Sequence, residues 1–405
     1  MESEERKIDR FLGKTVRLGS VTLSVLDICF IVALLGLALV ARLYLFPLRS
    51  GDYRAFLSHW MEKIQAMGPF HSLSVRISDY SSSYMYLMGL VSGFSNSLYA
   101  LKAVSVVFDY FGAFVMFLLV HHLTGSTRKG ILGMALTLLC PTVIINSSWW
   151  CQCDMIYASF VLLALYFLFK DKSAWCCIFL GVAFSFKVQT VFILPFIVML
   201  WLKGKTIKLW HLLYIPLVYV VLQIPAWIAG RPFSELMTVY FNQAGSYPWG
   251  TLKFPNLYEF LDETMKHRHH WVEVGKFGLP LSLTCLGTLA WYVGSRRFRM
   301  TDTLMVTLAM FSVSVALFTL PHMHERYGFL VDLLAIVYAL QRPEKAWVSV
   351  GYILISLITY MPFLVGAYVF PFPVLAAAML ALDIFVGYDL YRQINAASLP
   401  DPKGK

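Results

Sequence analysis

The peptide Pro321-His322-Met323-His324-Glu325-Arg326-Tyr327 lies between two apolar runs, each on the order of 20 residues, long enough to be read as membrane spans. It therefore sets two imidazoles, a carboxylate, a guanidinium and a phenol at one membrane edge. An ionisable side chain placed within a span costs about 2.5–3.5 kcal/mol on insertion scales, so such residues persist where they bind something or pair with one another. An ordinary solvated loop of this length needs neither two His around a Met nor an adjacent Glu-Arg pair. Four further polar clusters interrupt the apolar pattern. They are Gly51-Asp52-Tyr53 ahead of His59-Trp60, Ser78-Asp79-Tyr80 running on to Tyr84, Asn146 to Asp154, and Phe186-Lys187-Val188-Gln189. Gathered around one cavity, they would supply the carboxylates Asp52, Asp79 and Asp154, the cations Lys187 and Arg326, and His322 and His324. Trp149 and Trp150 would be available to stack on a sugar ring. Transfer of a sugar from a lipid phosphate to a hydroxyl needs a carboxylate base within reach of the acceptor and cations that neutralise the leaving phosphate.

The elements that must position these groups follow from composition. The 405 residues are 59% hydrophobic and 14% charged with mean hydropathy +0.67, which fits an all-α polytopic membrane protein rather than a soluble domain. The net charge of +10 falls in clusters between apolar runs, as in cytoplasmic loops, and does not call for nucleic acid. About twelve transmembrane helices are expected, near residues 24–46, 100–122, 130–148, 153–170, 174–187, 189–203, 209–228, 274–294, 302–320, 328–341, 346–366 and 372–391. This count puts Arg128-Lys129, Lys170/Lys172, Lys203, Arg296/Arg297 and Arg342/Lys345 on one face with both termini. The positive-inside rule makes that face cytoplasmic. The outer face then receives the long loops 47–99 and 230–273 and every polar cluster above. Within the first loop, Phe56, Leu57, Trp60, Ile64 and Met67 recur at helical spacing, so 53–67 and 84–94 read as interfacial helices. The N-terminal run reads as a retained span rather than a cleaved signal peptide, and residues 1–405 read as one membrane domain.

At this resolution of detail the motifs resemble a known group. Gly51-Asp52-Tyr53-Arg54-Ala55, His59-Trp60-Met61-Glu62, Asp79-Tyr80, Phe186-Lys187-x-Gln189 with Pro195 downstream, and His322-x-His324-Glu325 are similar to those of the dolichyl-phosphate-glucose-dependent glucosyltransferases. Closer still are bacterial mannosyltransferases related to the second GPI mannosyltransferase, where Trp-x-Gln-x-Asp and His-Glu-Arg-Tyr motifs recur. The resemblance covers most of the chain from about Asp52 to Tyr338. It implies the GT-C membrane glycosyltransferase fold, a polyprenyl-phosphate-linked sugar donor, a lipid-linked or surface glycan acceptor, and inverting single displacement. It makes Asp52 the general base and puts Lys187, His322, His324 and Arg326 near the donor phosphate. Asp79, Tyr80, Trp149, Trp150, Gln152, Asp154, Gln189, Glu325 and Tyr327 become substrate contacts. Two departures stand out: Ser81-Ser82-Ser83 after the second Asp-Tyr, and Cys151 where a Gly usually precedes Gln152. A bacterial plasma membrane is expected, with the endoplasmic reticulum as the alternative.

Each residue also has a plainer reading. Asp52 could cap a helix, Asp79 sits in ordinary turn composition, Asp154 could only offset a helix dipole, and Lys187 could snorkel to the interface. Trp60, Trp149 and Trp150 could form an aromatic belt. His267 to Trp271 reads as a solvated helix end, and the aromatic, turn-rich stretch 242–250 suits an acceptor lid. The seven Cys show no paired framework, and no H-x-x-x-H or H-E-x-x-H spacing is present, so no metal is assigned. No P-loop or Rossmann glycine pattern occurs, so no cofactor is assigned either. The competing function is a transporter or flippase for a lipid-linked sugar, which would place polar groups near the midplane. Asp109 is the clearest acidic residue deep in a run.

Overall fold

The computed structural model describes residues 9, 11–19, 21–204, 207–244, 249–261 and 270–399. A two-stranded antiparallel hairpin, β1 (Thr15–Leu18) and β2 (Val21–Ser24), pairs Thr15 with Ser24 and leads into helix α1 (Val25–Leu45). That start is chemically specified. The Ser24 hydroxyl accepts from the Asp27 N–H at 3.1 Å and the Asp27 carboxylate accepts from the Ser24 N–H at 2.9 Å, a reciprocal cap of the kind worth about 1 kcal/mol.

The segment between α1 and the next long helix contains a π-turn (Tyr53–Leu57) continuing into α2 (Ser58–Met67), and then α3 (Ser82–Leu90). Helix α2 buries Met61 and Ile64 on one face, the face its apolar spacing marks. The chain continues through α4 (Ser97–Thr124), α5 (Thr127–Leu139) and the short α6 (Pro141–Ile144), which runs into a second π-turn, Ile145–Trp149. Helix α4 is capped by Asn96 and stops where Gly125, at φ +64°, donates to the His121 carbonyl. That left-handed backbone favours glycine.

Next come α7 (Asp154–Phe169), α8 (Ser173–Phe186), a 3-10 turn (Val188–Ile193), α9 (Leu194–Leu202), α10 (Tyr214–Ile228) and α11 (Phe233–Ala244). The C-terminal part comprises α12 (Trp271–Ser295), α13 (Asp302–Thr319), α14 (Phe329–Gln341), α15 (Ala346–Val365) and α16 (Phe372–Ala396).

Among the described residues, seven helices are long and apolar enough to cross a membrane, or eight if the bent pair Thr127–Leu139 and Pro141–Trp149 makes one span. Four apolar helical stretches are shorter: Asp154–Phe169, Ser173–Phe186, Val188–Leu202 and Phe329–Gln341. Burial separates the helices by role. In α13, 78% of the apolar window is buried against 17% in α1, so α13 sits centrally and α1 faces outward. The largest apolar cluster joins α7, α13 and α14. A second, around Met61, Tyr84, Met88 and Ile156, seats the first-loop helices against α7. One end of these central helices is where the polar residues meet.

Candidate functional site

Asp52 stands at the start of the first π-turn but caps nothing with its carboxylate. The Ser50 hydroxyl accepts from the Tyr53 N–H at 3.1 Å instead, and donates to the Trp150 carbonyl at 2.6 Å. The Asp52 carboxylate is thereby left for other partners, all of which meet one oxygen. Oδ2 accepts from Gln152 Nε2 at 2.6 Å and from Trp150 Nε1 at 3.0 Å, and Arg326 Nη2 lies 3.6 Å away. Oδ1 has no hydrogen-bond partner among the described residues. Asp52 lines a cavity of about 500 Å³.

Gln152 reaches Asp52 because the chain turns sharply after the second π-turn. Cys151 adopts φ +64°, a conformation that normally favours glycine. The Gln152 N–H then closes onto the Asn146 carbonyl at 2.8 Å, and Cys153 leads directly into α7.

Asp154, the first residue of α7, is buried behind the cavity wall. It accepts from Lys187 Nζ at 2.6 Å and from Asn146 Nδ2 at 2.6 Å, and Arg326 Nη1 approaches to 3.7 Å. Its place at a helix N-terminus is favourable for a carboxylate, but the Lys187 contact shows a further role. Lys187 is 4% exposed and does not snorkel. It occupies an extended residue between α8 and the 3-10 turn, with its ammonium 5.2 Å from the centre of the Tyr80 ring. Such a break is tolerated where backbone lines a protein cavity.

The 320–327 loop supplies the third wall. Arg326 Nε bonds Glu325 Oε1 at 2.8 Å, and the guanidinium lies 5.1 Å from the Trp150 ring. Its two terminal nitrogens face Asp52 and Asp154 at 3.6 and 3.7 Å. Those separations are beyond a hydrogen bond, so attraction holds the group while its outer N–H donors stay available. Burial pushes Glu325 up, but Arg326 and His324 outweigh it and hold the carboxyl at about 2. Burial likewise opposes the Arg326 charge, and Glu325, Asp154 and Asp52 together keep it well above its usual range. Burial raises the phenols of Tyr80, and of Tyr327 to about 12, so both are hydrogen-bonding neutrals near pH 7.

Of the residues singled out in the sequence, Asp52, Asp79, Tyr80, Gln152, Lys187, Gln189, His324, Glu325, Arg326 and Tyr327 line the one cavity. Asp79 pairs with Arg76 at 3.0 Å at a partly exposed position, as its turn composition allows. Trp149, Trp150, Asp154 and His322 are not on that wall. Trp150 is buried, packed against Tyr360 and Phe363, so its ring supports Arg326 and Asp52 rather than offering a face to sugar. Trp149 is half-buried and off the cavity wall. His322 is also off the wall. Its φ of +62° turns it toward the outer loop, where its Nδ1 meets the Trp249 carbonyl at 2.5 Å and its N–H donates to Gly250.

That loop adds residues not singled out one by one in the sequence. Trp249, Thr251, Lys253 and Glu259 line the cavity with Tyr240 and Gln243, and Thr251 donates to Glu259 at 2.7 Å. The aromatic stretch 242–250 signalled a lid, but residues 245–248 lie outside the described residues, as do 267–269 of the His-rich segment. Asn256 and Tyr258 tie the described segment 249–261, a strap over the cavity, to the Leu320 and Thr319 carbonyls at 2.9 and 2.7 Å. Asp109, the acidic residue deep in α4, is not open to a transport path: it is paired with Arg42 at 2.8 Å.

No family model matches the sequence, and no curated protein does. A solved structure does match in fold. ArnT from Cupriavidus metallidurans, bound to undecaprenyl phosphate, superposes with a TM-score of 0.55 at 12% identity, over 91% of this chain and 78% of that one. The chain thus has an ArnT-like fold and the architecture of a multi-pass membrane protein.

Proposed function

We propose that the protein is an inverting glycosyltransferase that moves a hexose from a polyprenyl-phosphate donor to a hydroxyl of a lipid-linked or surface glycan. The observation that carries this reading is the Asp52 carboxylate, fixed through one oxygen and open at the other, beside Arg326 and Lys187 in one cavity. ArnT, the fold neighbour, was solved with undecaprenyl phosphate, a ligand of the same chemical class as the proposed donor.

The reaction is a single displacement. The acceptor oxygen attacks the anomeric carbon as its proton passes to Asp52 Oδ1, the free oxygen. The bond from that carbon to the phosphate oxygen breaks, and its electron pair leaves with the polyprenyl phosphate. Arg326 and Lys187 stabilise the charge that develops there. The outer-loop residues Trp249, Thr251 and Glu259 face the acceptor, and the broken helix at Lys187 faces the donor. The cavity opens toward the extracytoplasmic side, of a bacterial plasma membrane or the endoplasmic reticulum, with all twelve helical segments crossing. The motif resemblance favours mannose or glucose as the sugar.

Proteoliposomes carrying the protein and a labelled polyprenyl-phosphate hexose test this reading against the flippase alternative. Release of polyprenyl phosphate together with a new glycosidic bond is expected. Movement of intact donor between leaflets without bond formation would overturn the enzyme reading.

A further inference from the structure

Asp52 is held by groups that are themselves held from deep in the bundle. Arg42 of α1 and Asp109 of α4 form an ion pair at 2.8 Å with side chains 0% and 1% exposed. Arg42 Nη1 also donates to the Ala38 and Leu138 carbonyls at 3.1 and 2.9 Å, tying α1 to the end of α5. The oxygen of Asp109 that faces Arg42 accepts a second bond, from Ser147 Oγ at 2.6 Å. Ser147 is the middle residue of the second π-turn, and that turn closes with the Trp150 N–H on the Ile145 carbonyl at 2.8 Å. Two residues of the segment it launches, Trp150 and Gln152, are the donors that fix Asp52 Oδ2.

The main chain leading to Asp52 is anchored from the same side. Lys102, N-terminal to Asp109 on α4, donates to the Leu45, Phe46 and Leu48 carbonyls at 3.1, 2.9 and 2.6 Å. Those carbonyls lie where α1 ends, and a cation there complements the helix dipole.

A buried ion pair is weak warrant for stability, because well-packed apolar residues often do as well in its place, whereas a role in fixing geometry is its better-attested use. This pair is also incompletely satisfied: Asp109 Oδ1 and Arg42 Nη2 have no partner among the described residues.

We infer that the Arg42–Asp109 pair, acting through Ser147 and the π-turn, is a positioning device for the Asp52 carboxylate. It sets the height and angle of Trp150 and Gln152 and so aims the free oxygen of Asp52. Arg42, Asp109 and Ser147 are positioning residues that touch no substrate. The inference rests on Asp52 being the base.

The test compares five variants with the parent in the same transfer assay, reading kcat, donor KM and thermal stability. Ser147→Ala removes only the link. The double variant Arg42→Met/Asp109→Leu removes both charges, so that neither is left buried alone. Ser147→Thr restores a hydroxyl. Ser314→Ala deletes an equally buried hydroxyl that bonds Asp383 and, among the described residues, has no hydrogen-bonded link to Trp150. Ser147→Ala and the double variant are expected to lose about tenfold to a hundredfold in kcat, as small misplacement of a reacting group does. Their donor KM should stay within about twofold, the mark of an interaction realised in the transition state. Ser147→Thr should recover much of the loss, and Ser314→Ala should keep the parent kcat. If the double variant fails to fold, the Ser147 pair decides.

Full kcat in Ser147→Ala would overturn the inference, as would an equal loss in Ser314→Ala. Asp52→Asn separates the two levels. If it retains transfer, the base assignment falls and takes this inference with it. If it is inactive while Ser147→Ala runs at the parent rate, only the positioning role falls.

Discussion

At the cavity two buried carboxylates meet cations, Asp154 with Lys187 at 2.6 Å and Glu325 with Arg326 at 2.8 Å. Within the C-terminal bundle, Asp332 and Asp383 are as deeply buried but are held by hydroxyls. Thr142 and Ser356 bond Asp332 at 2.9 and 2.8 Å, and Ser314 and Tyr352 bond Asp383 at 2.5 and 2.6 Å. Among the described residues neither makes an ion pair. Hydroxyl donors therefore suffice to keep a carboxyl group in this interior. The cations at the cavity exceed what burial alone requires, which supports the proposed site for a donor phosphate. Asp332 and Asp383 use hydroxyl partners to knit helices together, while Asp154 and Glu325 are paired with the cavity cations Lys187 and Arg326.

The comparison is sharpest at Asp52. Asp52→Asn should lower transfer by about 10²–10⁴-fold, the usual contribution of a positioned base, with donor binding and thermal stability near those of the parent. Arg326→Ala should reduce kcat/KM by roughly a hundredfold or more. It should also lower thermal stability, since a lone buried charge costs about 3–5 kcal/mol and both Glu325 and Asp154 lose a partner. Arg326→Lys should restore stability more than rate, because an ammonium cannot repeat the two-ended donor geometry. Lys187→Met should raise donor KM by about tenfold and leave Asp154 dependent on Asn146 and Arg326.

Glu325 gives the comparison a pH signature. Its folded-state value, about 2, lies below the ordinary 4.5. Its contribution to stability is thus complete above about 4.5 and is lost as pH falls toward 2. Thermal melts across that window should fall less steeply for Glu325→Gln than for the parent. The smallest effect is expected at Asp332→Asn, where the amide oxygen still accepts from a hydroxyl. Transfer should be unchanged and the melting temperature should move by no more than a few degrees. A loss of transfer there as large as at Asp52 would erase the distinction between the two regions.

Much of the site was legible because charge inside an apolar run is rare. Asp52, Lys187 and the Glu325-Arg326 pair each interrupt a hydrophobic pattern, and the fold brings them to one cavity. The break at Lys187 could be read from the short runs on either side of it, which form α8 and α9. Other features depend on contacts that sequence spacing does not carry. Trp150 has a composition suited to a sugar platform, yet Tyr360 and Phe363, distant in sequence, cover its ring. His322 shares a motif with His324, and only the positive φ at that residue turns it to the outer loop. Glu259 sits in a segment without any motif and becomes part of the cavity because the strap docks on the end of α13. The hairpin before α1 likewise gave no signal beyond a short polar-apolar alternation.

The central claim is that the cations of the outer cavity receive the donor phosphate while Asp52 faces the acceptor. A structure of the protein with a non-transferable polyprenyl-phosphate sugar tests it most directly. The account predicts phosphate oxygens within hydrogen-bond reach of the Arg326 terminal nitrogens and Lys187 Nζ, with the anomeric carbon on the side of Asp52 Oδ1. A phosphate bound elsewhere, with Arg326 and Lys187 still engaged only by Asp52, Asp154 and Glu325, would contradict it.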